Sequence, residues 1–472
     1  MDQRRDAARP LRLRARRRGR PRTGPEVRSD AAARRREHDG GRRTADAASL
    51  AFSGWRLVPG RPGVAWASGP SDAILVAIRL YGGNDGLNTL IPVSGPNRAL
   101  YQTSRPALGI PASALAATAV GADALGHTYA LHPSTQDGLW ALFHGGKLAI
   151  VPGVGYPNQS LSHFLSEAIW YRADPVGVPA TGWLGGWLDT LGLPPTAVPA
   201  VDVEGAYLTP LLRTASTSVL AVSDLPSFVF PVDDAYSPDD DAAKQGAFDD
   251  IYQSLASAPA PLDRIAAVGY ATSLKTAGYP HATVDAPLLD AIAGNLGQDL
   301  KMVLSIIQAG VGARIFHVGI DGFDTHSDQG TVGGFQGALL GRLGRAMKAF
   351  LDSLDSTTRA KTLIWTFSEF GRRIEENGYG NSAGTDHGSV APMFVAGDAV
   401  VAAKIWGAYP DLANQDDDGN LVFEQTGTGE GRTIDFRDYF GTILKWLGVA
   451  DPTTRLPASG GWSTFTNLGF LG

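Results

Sequence analysis

The 472-residue chain contains no cysteine. That absence excludes disulfides, thiolate metal sites and cysteine nucleophiles together. Long apolar runs are missing too: no stretch approaches the roughly 18 residues that a membrane-spanning helix needs, so no integral membrane segment is expected. Large apolar side chains are almost absent from residues 1–50, which carry sixteen Arg against seven acidic residues. Such a segment cannot bury a core, and disorder is its expected state. Arg4-Arg5 invites a twin-arginine export reading, but the apolar h-region of an intact signal peptide is missing. Residues 1–70 are therefore expected to form an Arg-rich, disordered extension, arising from a mis-assigned start or a degraded export signal.

Beyond residue 50 the balance reverses, with 25 basic residues against 40 acidic ones. An acidic body of this kind excludes nucleic acid as the expected partner. Apolar residues make up 43% of the chain, enough for a substantial core over residues 71–472.

Four segments read as strands buried on both faces: "AILVAIRLYGG" (73–83), "KLAIVPGVG" (147–155), "ARIFHVGID" (313–321) and "KTLIWTFSE" (361–369). Continuous apolar runs closed by Gly or polar residues are the pattern of a parallel sheet covered on both sides. Between them, "GFQGALLGRLGRAMKAFLDSLD" (334–355) and "DAPLLDAIAGNLGQDLKMVLSIIQAG" (285–310) carry apolar residues at helical spacing. The expected class is therefore α/β, a central mostly parallel sheet sandwiched by helices. Residues at about 200–282 read as a helical and looped insertion, with an acidic cluster at Asp233-Asp234 and Asp239 to Asp241. "NQDDDGN" (414–420) imitates the start of a calcium loop, but Gln425 stands at its twelfth position, and an exposed hairpin is expected instead.

Polar residues gather at the C-terminal ends of the four strands, where open α/β sheets place ligands. The first supplies Asn84-Asp85. The second leads to a helix that opens with Ser160, Ser162 and His163. The third supplies Asp321, Asp324 and His326, and the fourth Glu369, with Asp386 and His387 following in "TDHG". Singly, each has a bland reading: Asp85 as a turn residue, Ser162 as a helix cap, Arg372 as a surface charge. Jointly they bring carboxylates, imidazoles and a hydroxyl to one edge. Carboxylate and imidazole donors suit zinc, manganese or a similar divalent ion, and a metal activates a hydroxyl that is otherwise a poor nucleophile. The inventory fits a metal-dependent ester hydrolase.

"LYGGNDGLNTLIPV", "LHPSTQDGLWALFHGGKLAIVPGVGYPNQSLSHFLSEAIW", "GFDTHSDQ" and "TFSEFGRRIEENGYGNSAGTDHG" together resemble the bacterial family grouped as domain of unknown function 1501, over roughly residues 73–470. That family is similar to the alkaline phosphatase and sulfatase superfamily. The resemblance implies a periplasmic or extracellular hydrolase of phosphate or sulfate esters, acting on a small molecule or a polysaccharide. It implies one or two divalent ions, zinc or manganese or else calcium, held by Asp85, Asp324, His326, Glu369, Asp386 and His387. It implies further that Ser162, with Ser160 in reserve, or a metal-bound hydroxide attacks the ester, flanked by His163 and with Arg372 steadying the anion. Phe370 stands where the superfamily often has His, which puts a second ion in doubt. Ser162 lacks the Pro-x-Arg that formylglycine formation requires. A non-catalytic exported binding protein of the same fold is the alternative.

Overall fold

The computed structural model describes residues 72–194, 197–205, 207–225, 238–255, 259, 279–280, 282–423 and 433–472. The Arg-rich extension and Asp233-Asp234 lie outside them. An eight-stranded sheet organises the chain: β1 (Ile74–Leu80), β2 (Leu148–Gly155), β3 (Ala200–Asp202), β4 (Val219–Ala221), β5 (Ile315–Ile320), β6 (Thr362–Phe367), β7 (Ala391–Gly397) and β8 (Ile434–Asp435), in the spatial order β8-β2-β7-β6-β1-β5-β3-β4. Only β7 runs against its neighbours, pairing antiparallel with β2 and β6; the other pairs are parallel. The α/β sandwich expected from the four apolar runs is the observed fold.

Side chains alternate across the pleat, and the two faces of the sheet bury separate cores. On one face Val76 and Ile78 of β1 pack with Leu300, Val303 and Leu304 of a helix at Asn295–Ala309 and with Leu343, Met347 and Phe350 of another at Phe335–Ser353. On the other, Leu75 and Ala77 pack with Trp170, Trp183 and Phe440, from helices at His163–Arg172, Trp183–Asp189 and Phe436–Trp446. We label these five helices in chain order α1 (163–172), α2 (183–189), α3 (295–309), α4 (335–353) and α5 (436–446).

The structure departs from the sequence reading in the sheet and in one helix. β3 and β4 lie inside the segment read as an insertion at about 200–282; each has three residues, with β4 at the sheet edge, too short to show a periodic pattern. The helix read over 285–310 is interrupted at Gly294, which has φ +82°, and α3 begins after it. "NQDDDGN" forms a tight turn, with Gln415 bridging Leu421 antiparallel and Asp416 accepting from the backbone N–H groups of Asp418 and Asn420. None of the described helices is long and apolar enough to cross a membrane.

Candidate metal centre

The site forms where the loops after β1, β5 and β6 meet the N-terminus of α1. Gly82 and Gly83 follow β1 with φ values of +113° and +85°, in the region that only Gly enters freely. A Cβ on Gly82 would stand 2.2 Å from the backbone nitrogen of Asp324, so the first position of this pair must be Gly for the loops to touch. Gly384 plays the same part opposite His326, where a Cβ would lie 2.2 Å from the carbonyl carbon. Close backbone approach lets residues distant in sequence share one pocket.

Asp324, with its side chain half exposed, is the hub. His326 Nε2 and His387 Nε2 each lie 3.2 Å from its Oδ1, and His163 Nε2 lies 3.5 Å from its Oδ2. The two imidazole Nε2 atoms of His326 and His387 are 2.9 Å apart. Each ring is fixed through its other nitrogen. His387 Nδ1 faces the Leu161 carbonyl at 2.8 Å, which can only accept, so Nδ1 carries the proton. His163 Nδ1 faces Glu369 Oε1 at 2.9 Å and His326 Nδ1 faces Asp386 Oδ1 at 3.1 Å.

Both of these carboxylates are ionised. Burial pushes Glu369 up, but the His163 hydrogen bond and the Arg79 charge outweigh it and hold the acid below its ordinary value. Asp386 is likewise lowered against the effect of burial, by bonds from Asn377 and His326. All three imidazoles therefore donate at Nδ1, and in their neutral forms turn three Nε2 lone pairs toward one carboxylate. Arg372 supplies one positive charge at Asp324 Oδ1, and the three lone pairs would attract another. A proton is one candidate, disfavoured on His387, whose pKa burial lowers, and favoured on His163, whose bond to Glu369 raises its pKa. A divalent ion is the other. Tetrahedral donors about 2.1 Å from zinc lie about 3.4 Å from one another, close to the 2.9–3.5 Å seen here. His163, Asp324 and His387 each bring a donor atom within 4.8 Å of the others and could hold one such ion, with His326 beside them.

Three residues expected to ligate stand elsewhere. Asp85 is fully buried away from the cluster, paired with Arg105 at 2.5 Å and accepting from Gln329 Nε2 at 2.6 Å. Glu369 and Asp386 back the rings of His163 and His326 rather than facing the hub, and Glu369 also accepts the Gly82 N–H at 2.8 Å. Phe370 lies under the site, its ring centroid 4.8 Å from that of His163 and 4.4 Å from that of His387.

Arg372 is not an anion clamp. Its side chain is fully buried and donates to the carbonyls of Gly82, Gly83, Phe323 and Thr385, and to Asp324 Oδ1 at 2.6 Å. It ties three loops together and aims the hub. Burial opposes ionisation of Asp324, and the Arg372 hydrogen bond and charge prevail, lowering its pKa.

Ser162 is exposed and precedes α1, with no side-chain hydrogen bond capping the helix. Its neighbours Leu161 and His163 both hold the cluster. Ser160 instead accepts the Ser162 N–H at 3.2 Å. One turn into α1, Ser166 donates to the carbonyl of Glu369, so the helix is docked on that residue at two points. The positioning roles of Arg372, Arg105 and Leu161 were not read from the sequence; bonds to backbone carbonyls leave no motif.

Residues 239–425 match the model of the family described as "Protein of unknown function (DUF1501)", which bears out the family resemblance. A comparison with curated proteins returns no match. Among solved structures, the chain is similar to Ps i-CgsB in complex with k-i-k-neocarrahexaose, with 10% identity, 83% of this chain and 75% of that chain covered and a TM-score of 0.32. It is similar to the soluble domain of lipooligosaccharide phosphoethanolamine transferase A from Neisseria meningitidis, with 11% identity, coverages of 81% and 90% and a TM-score of 0.28. It is also similar to the alkaline phosphatase of the Antarctic bacterium TAB5, with 9% identity, coverages of 70% and 92% and a TM-score of 0.27.

Proposed function

We propose that the chain is a metal-dependent hydrolase of phosphate or sulfate esters that uses one divalent ion, zinc or manganese, and Ser162 as nucleophile. The observation that carries the reading is the set of three imidazoles held at Nδ1, their Nε2 atoms converging on Asp324 beside an uncapped serine. His163, Asp324 and His387 would hold the ion, with His326 next to it; Glu369, Asp386 and the Leu161 carbonyl would orient the rings. A bound ion of this class polarises an ester oxygen and favours the ionised form of a neighbouring hydroxyl.

The chain's own residues supply the rest. Ser162 offers an exposed hydroxyl at the helix N-terminus, and the first-turn N–H groups of α1 lack intrahelical partners, which suits them to an oxygen of a tetrahedral anion. Arg372 holds the Asp324 carboxylate in place. With Asp85 engaged by Arg105 and Phe370 apolar, these residues fit one ion and not two.

The test is elemental mass spectrometry of protein purified without chelators, combined with a screen of phosphate and sulfate esters. The wild type and Ser162→Ala are expected to carry the same metal content and His387→Ala one ion per chain less, with hydrolysis lost in both variants. A folded wild type unable to take up zinc or manganese would refute the reading. An ion-loaded wild type inactive on every ester would leave a binding protein.

A further inference from the structure

A second cluster of donors lies outside the site just described. In the parallel pairing of β3 with β5, Asp202 is the register partner of His317, and Glu204 lies two residues beyond the end of β3. His317 Nδ1 lies 3.1 Å from Asp202 Oδ1 and 3.4 Å from Glu204 Oε2, and the three donor atoms all fall within 4.8 Å of one another. His317 and Asp202 are buried, whereas Glu204 keeps a quarter of its side chain exposed, which leaves a way in from solvent. The remaining ring nitrogen, His317 Nε2, has no hydrogen-bond partner among the described residues, so the ring's polar contact there is the edge facing the two acids. Tyr81 donates to Glu204 Oε2 at 2.6 Å and fixes that carboxylate.

We propose that Asp202, Glu204 and His317 form a second divalent-cation site, for zinc or manganese, that braces the three-residue strand β3 against β5. The spacings of 3.1 and 3.4 Å match the roughly 3.4 Å expected between tetrahedral donors around zinc, and an imidazole with two carboxylates is a donor set suited to these ions. The positive charge of Arg79 reaches Glu204. The nearby Arg79 is shared with Glu167 and Glu369.

The full chain carrying Asp324→Asn isolates this cluster from the first. Loaded with zinc and desalted, it is expected to retain one ion, with an X-ray absorption edge reporting one imidazole and two carboxylate donors. Adding Glu204→Gln is expected to release that ion with the far-ultraviolet circular dichroism unchanged. An Asp324→Asn chain that retains no zinc, or retains it without imidazole coordination, would overturn the proposal and reduce the cluster to a hydrogen-bonded His–Asp pair. Failure of the first site reads differently: Asp324→Asn would then leave the wild-type metal content unaltered.

Discussion

Asp85 offers a direct test, because a metal ligand and a structural acid respond to substitution in opposite ways. Its carboxylate and the Arg105 guanidinium are both fully buried and 2.5 Å apart. Arg105 also donates to the carbonyls of Ile374 and Arg373, at 2.8 Å each. Arg105→Met would leave a buried carboxylate opposed only by the Gln329 amide and the Leu87 N–H, and two backbone carbonyls without that donor. Removing one side of a buried pair costs about 3–5 kcal/mol, and an orphaned buried acceptor about 1–3 kcal/mol. These overlap, so the expected loss is on the order of 5 kcal/mol. Asp85→Asn strands the arginine charge instead and is expected to cost about 3–5 kcal/mol. The double variant should cost less than the sum, since neither charge is left alone. Urea unfolding reads the stability, and elemental mass spectrometry reads the metal on the same samples. Normal metal content with a large fall in the urea midpoint is expected for Asp85→Asn. Loss of the ion with an unchanged midpoint would place Asp85 among the ligands and refute the reasoning.

Glu369→Gln and Asp386→Asn are expected to weaken metal binding at the His163–Asp324–His387 cluster by about 10–100-fold without abolishing it, the usual cost of losing a partner that orients a ligating imidazole; Asp324→Asn should empty that cluster outright, and chelator competition distinguishes the two. A pH effect is expected at Asp438, whose two acceptor bonds, from Trp462 Nε1 and the Thr466 N–H, both fall on Oδ1. Burial first, and then the charge of Asp435, raises its pKa from 3.8 to about 6. The folded state therefore binds this proton more tightly than the unfolded one, and the contribution to stability falls as pH rises from about 4 to beyond 6. Asp438→Asn keeps both bonds and removes the charge. It should stabilise the protein above pH 6 by at most about 3 kcal/mol, at about 1.4 kcal/mol per pKa unit, and this is an upper limit because the first turn of a helix favours negative charge. The gain should vanish below about pH 4, and thermal unfolding across that range would expose an error if it persisted there.

The strands legible in the sequence were those buried on both faces, because continuous apolar character survives any register. β7 was missed although "APMFVAG" is as apolar as the rest. Pro392 argues against a central strand, and the structure accommodates it where the β7–β2 register shifts between Ala391 and Met393. β3 and β4 were missed for the opposite reason: three residues carry no pattern, and their place in the sheet depends on pairing with β5 and with each other. The break before α3 was hidden because Gly294 is tolerated within a helical pattern and its positive φ has no signature in composition.

The residue types of the candidate metal centre were legible, and their division of labour was not. Glu369 and Asp324 are both carboxylates at strand ends; one backs an imidazole and the other faces three, a difference created by contacts such as His163 to Glu369 across 206 residues and His387 to Leu161 across 226. Those contacts also make the rings unequal. His163 rests on an ionised carboxylate, whose hydrogen bond raises its pKa against the effect of burial. His387 rests on a neutral carbonyl, and burial lowers its pKa. The raised group keeps its proton to higher pH. As acidity increases, protons therefore compete for the His163 position before that of His387. On the proposed function, an ion entering the cluster would meet less proton occupancy at His387 than at His163, the ring that adjoins Ser162.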